Sequence, residues 1–279
     1  MGDLMCNFVI SLKQAEKRRR HIESEFGKQA IPFGFFDAIT PEQVVFQAQR
    51  LGINIQNTVL STGELACLLS HVSLWQYALE HGLPHITIFE DDVYLGNNAQ
   101  SFLGTTAWIP PECHVLKLEG FATEVLADFS PTHSLPHSRK LFRLQHKHMG
   151  AAGYVLSQHA VQKLIAYTQT HQPLRPVDHI VFDDYLLSGD LPIFQMLPAL
   201  CVQDYILNQA NNTDNALPSY LEQERFQMRT IHPKFGLEKP IKLGIAEKIK
   251  REIMRPVMQL LHMPSAIKTK LRTKKVTFG

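Results

Sequence analysis

Short apolar runs alternate along this chain with longer segments whose apolar residues recur every three or four positions. That switching between strand-like and helix-like periods predicts an α/β layered fold. Phe8 to Leu12 is the first strand-like run, and the polar stretch Lys13 to Phe26 predicts a helix with Ala15, Ile22 and Phe26 on one face. Lys17, Arg18, Arg19 and Arg20 crowd the first half of that helix. Pro32 to Ile39 supplies a second strand, ending near Thr40-Pro41, a good helix start. Ser61, with Glu64 three residues on, makes a capping box at the head of a long helix. Leu65, Leu68, Leu69, Val72, Trp75 and Leu79 line its buried face, and His81-Gly82 stops it.

The run Ile86 to Phe89 predicts the next strand, and Val115 to Leu118 another. Ser130 to Ser138, with Pro131 and Pro136, reads as a surface loop. Small residues from Gly150 lead into a strand that ends at Ser157, which caps a helix through Tyr167. Pro173 to Pro176 breaks the chain, and Val177 to Leu187 follows with Asp178, Asp183 and Asp184. Pro192 to Cys201 is a final apolar stretch, and Asn208 to Asn215 a polar loop. Neither an internal repeat nor a low-complexity segment interrupts this order.

Composition narrows the class. The chain has 279 residues, 44% hydrophobic and 19% charged, enough to bury a real core and too apolar for a disordered protein. Its four cysteines, Cys6, Cys67, Cys113 and Cys201, lie far apart, as in the reducing cytosol. With no basic-then-apolar leader and no apolar run of membrane-spanning length, a soluble cytoplasmic protein is expected. The net charge of +2 conceals an asymmetry. From Lys239 to Gly279 there are eleven Lys or Arg residues against Glu247 and Glu252, while the preceding residues carry 17 basic and 24 acidic ones. The tail is near +9 and the body near −7.

Within the tail, Ile245, Ile249, Met254, Val257, Leu260 and Leu261 recur at roughly helical spacing. A basic amphipathic helix of this kind suits an anionic membrane surface. A solvated helix packed on the domain is the plainer reading. A nucleic-acid patch is disfavoured because no aromatic residue interleaves the basic ones before Val276. The expected division is an α/β domain over residues 1–235 and a basic amphipathic segment over residues 236–279.

The chemistry gathers at Glu90, Asp91 and Asp92, three carboxylates directly after a strand. Like charges in a row repel, so they need solvent or a divalent cation. An acidic turn and a metal site are both open on these residues alone. Other classes fall away: the chain has no GxxxxGK[ST], GxGxxG, GxSxG or HExxH pattern and no Cys/His cluster at zinc spacing.

The order of several short pieces carries a resemblance. Phe8-Val-Ile-Ser-Leu12, Arg18-Arg19, Phe36-Asp-Ala-Ile39, Gly63-Glu64, Cys67, Ser70-His71, Trp75 and Phe89-Glu-Asp-Asp-Val93 come first. Gly150 to Ser157, Pro176-Val-Asp178, Pro198 to Gln203 and Ser219 to Arg225 follow. Together they resemble glycosyltransferase family 25, and within it the lipooligosaccharide β-1,4-galactosyltransferases, over about residues 7 to 230.

The resemblance implies a GT-A-like fold, in which a Rossmann-like sheet binds a UDP-sugar, and an inverting transfer of galactose from UDP-galactose to a terminal glucose or N-acetylglucosamine. The acceptor would be lipid-anchored, giving the basic tail a role on the cytoplasmic face of the inner membrane. Another UDP-sugar donor such as UDP-glucose, or an inactive sugar-nucleotide-binding relative, are the alternatives. By the same resemblance, Asp92, with Asp91, would hold Mn²⁺ or Mg²⁺, while Glu90 or Asp91 would touch ribose or a metal-bound water. Arg18 and Arg19 would pair with phosphate, Ser11 and Asp37 would line the donor, and Ser70 and His71 would approach donor phosphate or sugar. His148 would contact the acceptor or the metal. Asp184 or Asp178 would be the general base. Structural roles compete at several positions: Glu64 as half of the capping box, Trp75 as core, and Asp178 as a helix cap.

Overall fold

The computed structural model describes residues 6–211 apart from residues 57, 122–123 and 189–190, together with Leu217 and residues 269–279. Strand β1 (Asn7–Ser11) leads into α1 (Glu16–Gly27), then β2 (Gly34–Asp37), α2 (Val44–Arg50) and α3 (Thr62–Glu80). Strands β3 (His85–Glu90) and β4 (Val93–Leu95) flank the acidic turn, followed by α4 (Gln100–Leu103), β5 (Val115–Lys117), β6 (Glu124–Leu126), β7 (His133–Ser134) and β8 (Lys140–Arg143). Next come β9 (Gly153–Ser157), α5 (Gln158–Thr170), α6 (Val177–His179) and α7 (Tyr185–Ser188), with a π turn between the last two. Then follow β10 (Ile193–Leu197), β11 (Cys201–Gln203), α8 (Asp204–Asn211) and β12 (Thr273–Lys275).

Eight of these strands form one sheet in the order β2-β1-β3-β9-β5-β10-β8-β7. β1 is parallel to β2 and β3, and β10 is parallel to β5, while β9 runs antiparallel between β3 and β5. Residues alternate between the two faces. Ile10, Ile86 and Ile88 join Leu68, Trp75 and Leu164 from α3 and α5, whereas Val9 and Phe89 pack with Ile22, Phe26 and Phe102 from α1 and α4. Helices thus cover both faces of a mostly parallel sheet, the α/β, GT-A-like layout expected.

The expected helix starts hold. Ser61 Oγ accepts the Glu64 N–H at 3.2 Å while the Glu64 carboxylate accepts the Ser61 N–H at 3.0 Å. Ser157 caps α5 by accepting the Ala160 N–H at 3.2 Å. Trp75 is fully buried, as the core reading of it expects.

Two expectations need correction. The stretch Ser130 to Ser138 is not all loop, because β7 pairs with β8 there. The polar stretch from Asn208 begins inside α8, where Asn208 Nδ2 donates to Asp204 Oδ1 at 2.9 Å. The amphipathic pattern from Ile245 to Leu261 and the Ser219 to Arg225 match lie outside the described residues. Beyond them, β12 pairs antiparallel with β6, so the last basic residues lie against the body.

Candidate active site

In an open α/β sheet, ligands bind beyond the carboxyl ends of parallel strands. Here Ser11 ends β1 beside Asp37 of β2, and Ile10 stands beside Glu90 of β3. α1 starts only a few residues after β1 and so brings Arg18 and Arg19 back over the same edge. Arg18 pairs with Asp91 Oδ1 and reaches Asp92 Oδ2 at 3.5 Å. Ser11 Oγ donates to the other Asp91 oxygen at 2.6 Å. Arg19 pairs with Asp37, donates to the Ser11 carbonyl at 3.1 Å, and lies 4.7 Å from the Phe35 ring centre. The expected donor group Ser11, Arg18, Arg19, Asp37, Asp91 and Asp92 is therefore one contiguous edge.

The acidic triplet divides across the sheet. Asp91 and Asp92 occupy the turn toward Arg18, whereas Glu90, two residues beyond Ile88, follows the face that packs on α3. Gln203 of β11 ties the halves together, its Nε2 donating to Glu90 Oε2 at 3.0 Å and Asp92 Oδ1 at 3.4 Å. The Asp204 N–H then fixes the Asp92 carbonyl at 2.8 Å. Burial, opposed by Arg18 and reinforced by Asp91, pushes the Asp92 carboxyl up to about 6. Burial first, then Asp92, Glu119 and Asp91, pushes Glu90 well above the ordinary carboxylate range. Asp91 and Asp92 thus face a single cation, Arg18, so one carboxylate charge is uncompensated whenever both are ionised. That deficit and the oxygen donors of Asp91 and Asp92 fit a hard divalent ion such as Mn²⁺ or Mg²⁺. Asp92 has the looser contacts of the two.

A second polar group lies across β9. Lys117 and Glu119 leave β5 fully buried and pair at 3.0 Å. Lys117 Nζ also donates to the Met149 carbonyl at 2.8 Å and to that of Gly150, and lies 4.3 Å from the Phe182 ring centre. Glu119 Oε2 accepts the Ala152 N–H at 3.0 Å. The small-residue run before β9 makes this possible: a Cβ on Gly150, whose φ is +84°, would sit 2.7 Å from both Glu119 oxygens. One on Gly153 would collide with the Cys201 sulfur.

His148 is 5% exposed with neither ring nitrogen hydrogen-bonded, and burial with the nearby Lys117 pulls it down to about 3. Asp178 closes the group by accepting the Gly150 N–H at 3.1 Å. Lys117 and Glu119 escaped the sequence reading. Their signal was the pattern Val-Leu-Lys-Leu-Glu, two opposite charges at alternate positions of an apolar strand.

The remaining candidates separate. Asp184 pairs with Arg175, which also holds Asp183 at 3.0 Å, on the side of Tyr167. Ser70 is buried, donating to the Ala66 carbonyl at 2.7 Å and accepting the Ile39 N–H at 2.8 Å, so its hydroxyl joins α3 to the chain after β2. His71 lies deeper than a donor contact requires, fully buried under Tyr154. Among the described residues, no helix is long and apolar enough to cross a membrane.

Comparison with known proteins agrees with this geometry. The model of glycosyltransferase family 25 (LPS biosynthesis protein) matches residues 5–181. A putative glycosyltransferase of Haemophilus influenzae is 38% identical over 252 residues, 89% of this chain and 84% of that protein. The lacto-N-neotetraose biosynthesis glycosyltransferase LgtB of Neisseria meningitidis serogroup B is 37% identical, over 81% of this chain and 85% of its own. The lipooligosaccharide biosynthesis protein lic2B of Haemophilus influenzae is 35% identical, over 94% and 97%.

Proposed function

The chain belongs to glycosyltransferase family 25, and from that premise we propose that it transfers galactose from UDP-galactose, with inversion, to a terminal glucose or N-acetylglucosamine of lipooligosaccharide, forming a β-1,4 bond. The observation that carries the reading is the Asp91–Asp92 turn at the carboxyl edge of the parallel strands, where two carboxylates share the single cation Arg18. The relatives' names, lacto-N-neotetraose and lipooligosaccharide biosynthesis, support the acceptor class.

In this reading Asp92, aided by Asp91, holds a divalent ion, Mn²⁺ or Mg²⁺. When bound, the ion supplies Lewis-acid stabilisation to the departing diphosphate. Arg18 presents a guanidinium fork to phosphate oxygens from the same edge, and Ser11 keeps Asp91 oriented. Asp178 removes the acceptor proton. Its support over Asp184 is that it binds the neutral backbone N–H groups of Gly150 and His179 at 3.1 and 3.0 Å, whereas Asp184 is tied to Arg175. His148 meets an acceptor hydroxyl with its unpaired ring nitrogens. The basic residues from Lys239 onward hold the enzyme to the anionic inner leaflet, where a lipid-anchored acceptor is displayed.

A donor-by-acceptor transfer screen, run with Mn²⁺ and with chelator, tests this. UDP-galactose should outrun UDP-glucose, and chelation should stop transfer. Asp178→Asn should lower kcat about 10²-fold or more while Asp184→Asn changes it far less. Metal-independent turnover, or none with any donor, would sink the reading.

A further inference from the structure

The face of the sheet edge turned toward α3 holds a group that the transfer reaction does not use. Cys67 and His71 are one helical turn apart on α3, so their side chains share a face. Glu90 approaches them from the end of β3. One ligand-capable atom from each of the three lies within 4.8 Å of the others.

His71 gives a second, independent sign. Its Nδ1 is 2.7 Å from the Tyr154 hydroxyl, which also accepts the Trp75 indole N–H at 3.0 Å. Its Nε2 is buried with no hydrogen-bond partner. A buried ring nitrogen without a partner is costly in the core. A metal-binding imidazole resolves this by donating its other N–H to a nearby oxygen, the position Tyr154 occupies.

We propose that Cys67, His71 and Glu90 form a second cation site, separate from the Asp91–Asp92 carboxylates, that takes a borderline-soft divalent ion of the zinc type. Sulfur, imidazole and carboxylate together are a zinc-like donor set, whereas the all-oxygen turn on the other face favours a harder ion. Glu90 also shares Gln203 with Asp92, so an ion here ties α3 to β3 and fixes one end of the bridge that orients Asp92. The site is positional, not catalytic.

Cobalt(II) is the probe, added to purified full-length protein after metal removal. The expected result is a near-ultraviolet thiolate-to-cobalt band at one equivalent, displaced by zinc, and kept in Asp92→Asn. Cys67→Ser should abolish the band. Tyr154→Phe, which keeps the ring and removes only the hydroxyl, should weaken zinc affinity about 10- to 100-fold. Circular dichroism of each variant establishes that it is folded. No thiolate band in folded wild type, or a band that survives Cys67→Ser, would overturn the site. Because Asp92→Asn disables the other carboxylate turn, loss of transfer activity in that variant with the band intact separates the two sites.

Discussion

At the end of β3, Asp91 and Asp92 meet Arg18 and Ser11 in a layer that is thinly covered, with side chains about a tenth exposed. Across β9, Lys117 and Glu119 make an equally polar group with no exposure at all. The first group is left with surplus negative charge. The second pairs its lysine with its carboxylate and adds backbone carbonyls and an N–H. Charge that is short of partners at a strand edge is available to a ligand, while charge enclosed by its own chain holds that chain in place. The two regions should therefore fail differently when altered, one in turnover and the other in folding.

The sharpest test of that difference is Asp92→Asn. Removing a carboxylate that would hold the ion should cut kcat/KM about 10³-fold, equivalent to about 4 kcal/mol of transition-state stabilisation. Stability at pH 7 should hold or rise, because the raised pKa means that the ionised form is disfavoured in the folded state. Paired transfer assays and urea unfolding measure both. A folding loss parallel to the activity loss would break the comparison.

The buried pair should behave in the opposite way. Lys117→Met leaves Glu119 charged and unpaired, which should cost about 3 kcal/mol or more in urea unfolding. Lys117→Met with Glu119→Leu should recover most of it, since an apolar pair of similar volume avoids desolvating two charges. If the double variant stays as unstable as the single one, the contacts of Lys117 with the Met149 and Gly150 carbonyls matter more than its partner.

Much of the exposed side of this contrast was legible in the sequence, and little of the buried side. Ser11, Arg18, Asp37 and the triplet lie at strand ends or helix starts, where hydrophobic periodicity breaks and polar residues stand out. The capping box of α3 and the Ser157 cap of α5 were legible for the same reason, being local patterns. Lys117 and Glu119 carried only a faint local mark, opposite charges at alternate positions of an apolar strand. Their backbone partners and the partners of Gln203 lie 32 to 113 residues away. The division of the triplet also needed the fold: side-chain direction at Glu90 depends on strand register, and at Asp91 and Asp92 on where the turn begins. Ser70 read as a donor contact because Ser-His belongs to the family pattern, yet its hydroxyl serves Ile39 and Ala66.

Acidity divides the regions again, with opposite signs. His148 beside Lys117 and His71 on α3 are both pulled to about 3 by burial, against about 6.5 in an unfolded chain. Their contribution is complete above that unfolded value and is lost as pH falls, by about 2 kcal/mol each at pH 5. Asp92, raised to about 6, has the reverse dependence: its contribution is complete below the unfolded value near 3.8 and is lost as pH rises through about 6. Wild type should thus weaken on acidification, and His148→Gln should flatten the profile between pH 7 and 5. A profile unchanged by that substitution would mean that His148 is not held neutral.

The smallest effect separates scaffold from site on α3. Ser61 and Glu64 satisfy each other's backbone N–H groups, and the helix they start carries Cys67 and His71 behind Glu90. Ser61→Ala should cost about 1 kcal/mol in thermal or urea unfolding and leave kcat/KM within about twofold. Glu64→Gln is the finer probe. A glutamine keeps the reciprocal hydrogen bond of the capping box but removes a charge that a sugar hydroxyl or metal-bound water would feel. If Glu64 serves only the helix, that substitution leaves both stability and transfer unchanged. A fall in kcat/KM without a fall in stability would move Glu64 from the scaffold to the reaction edge, and with it the boundary between the two regions.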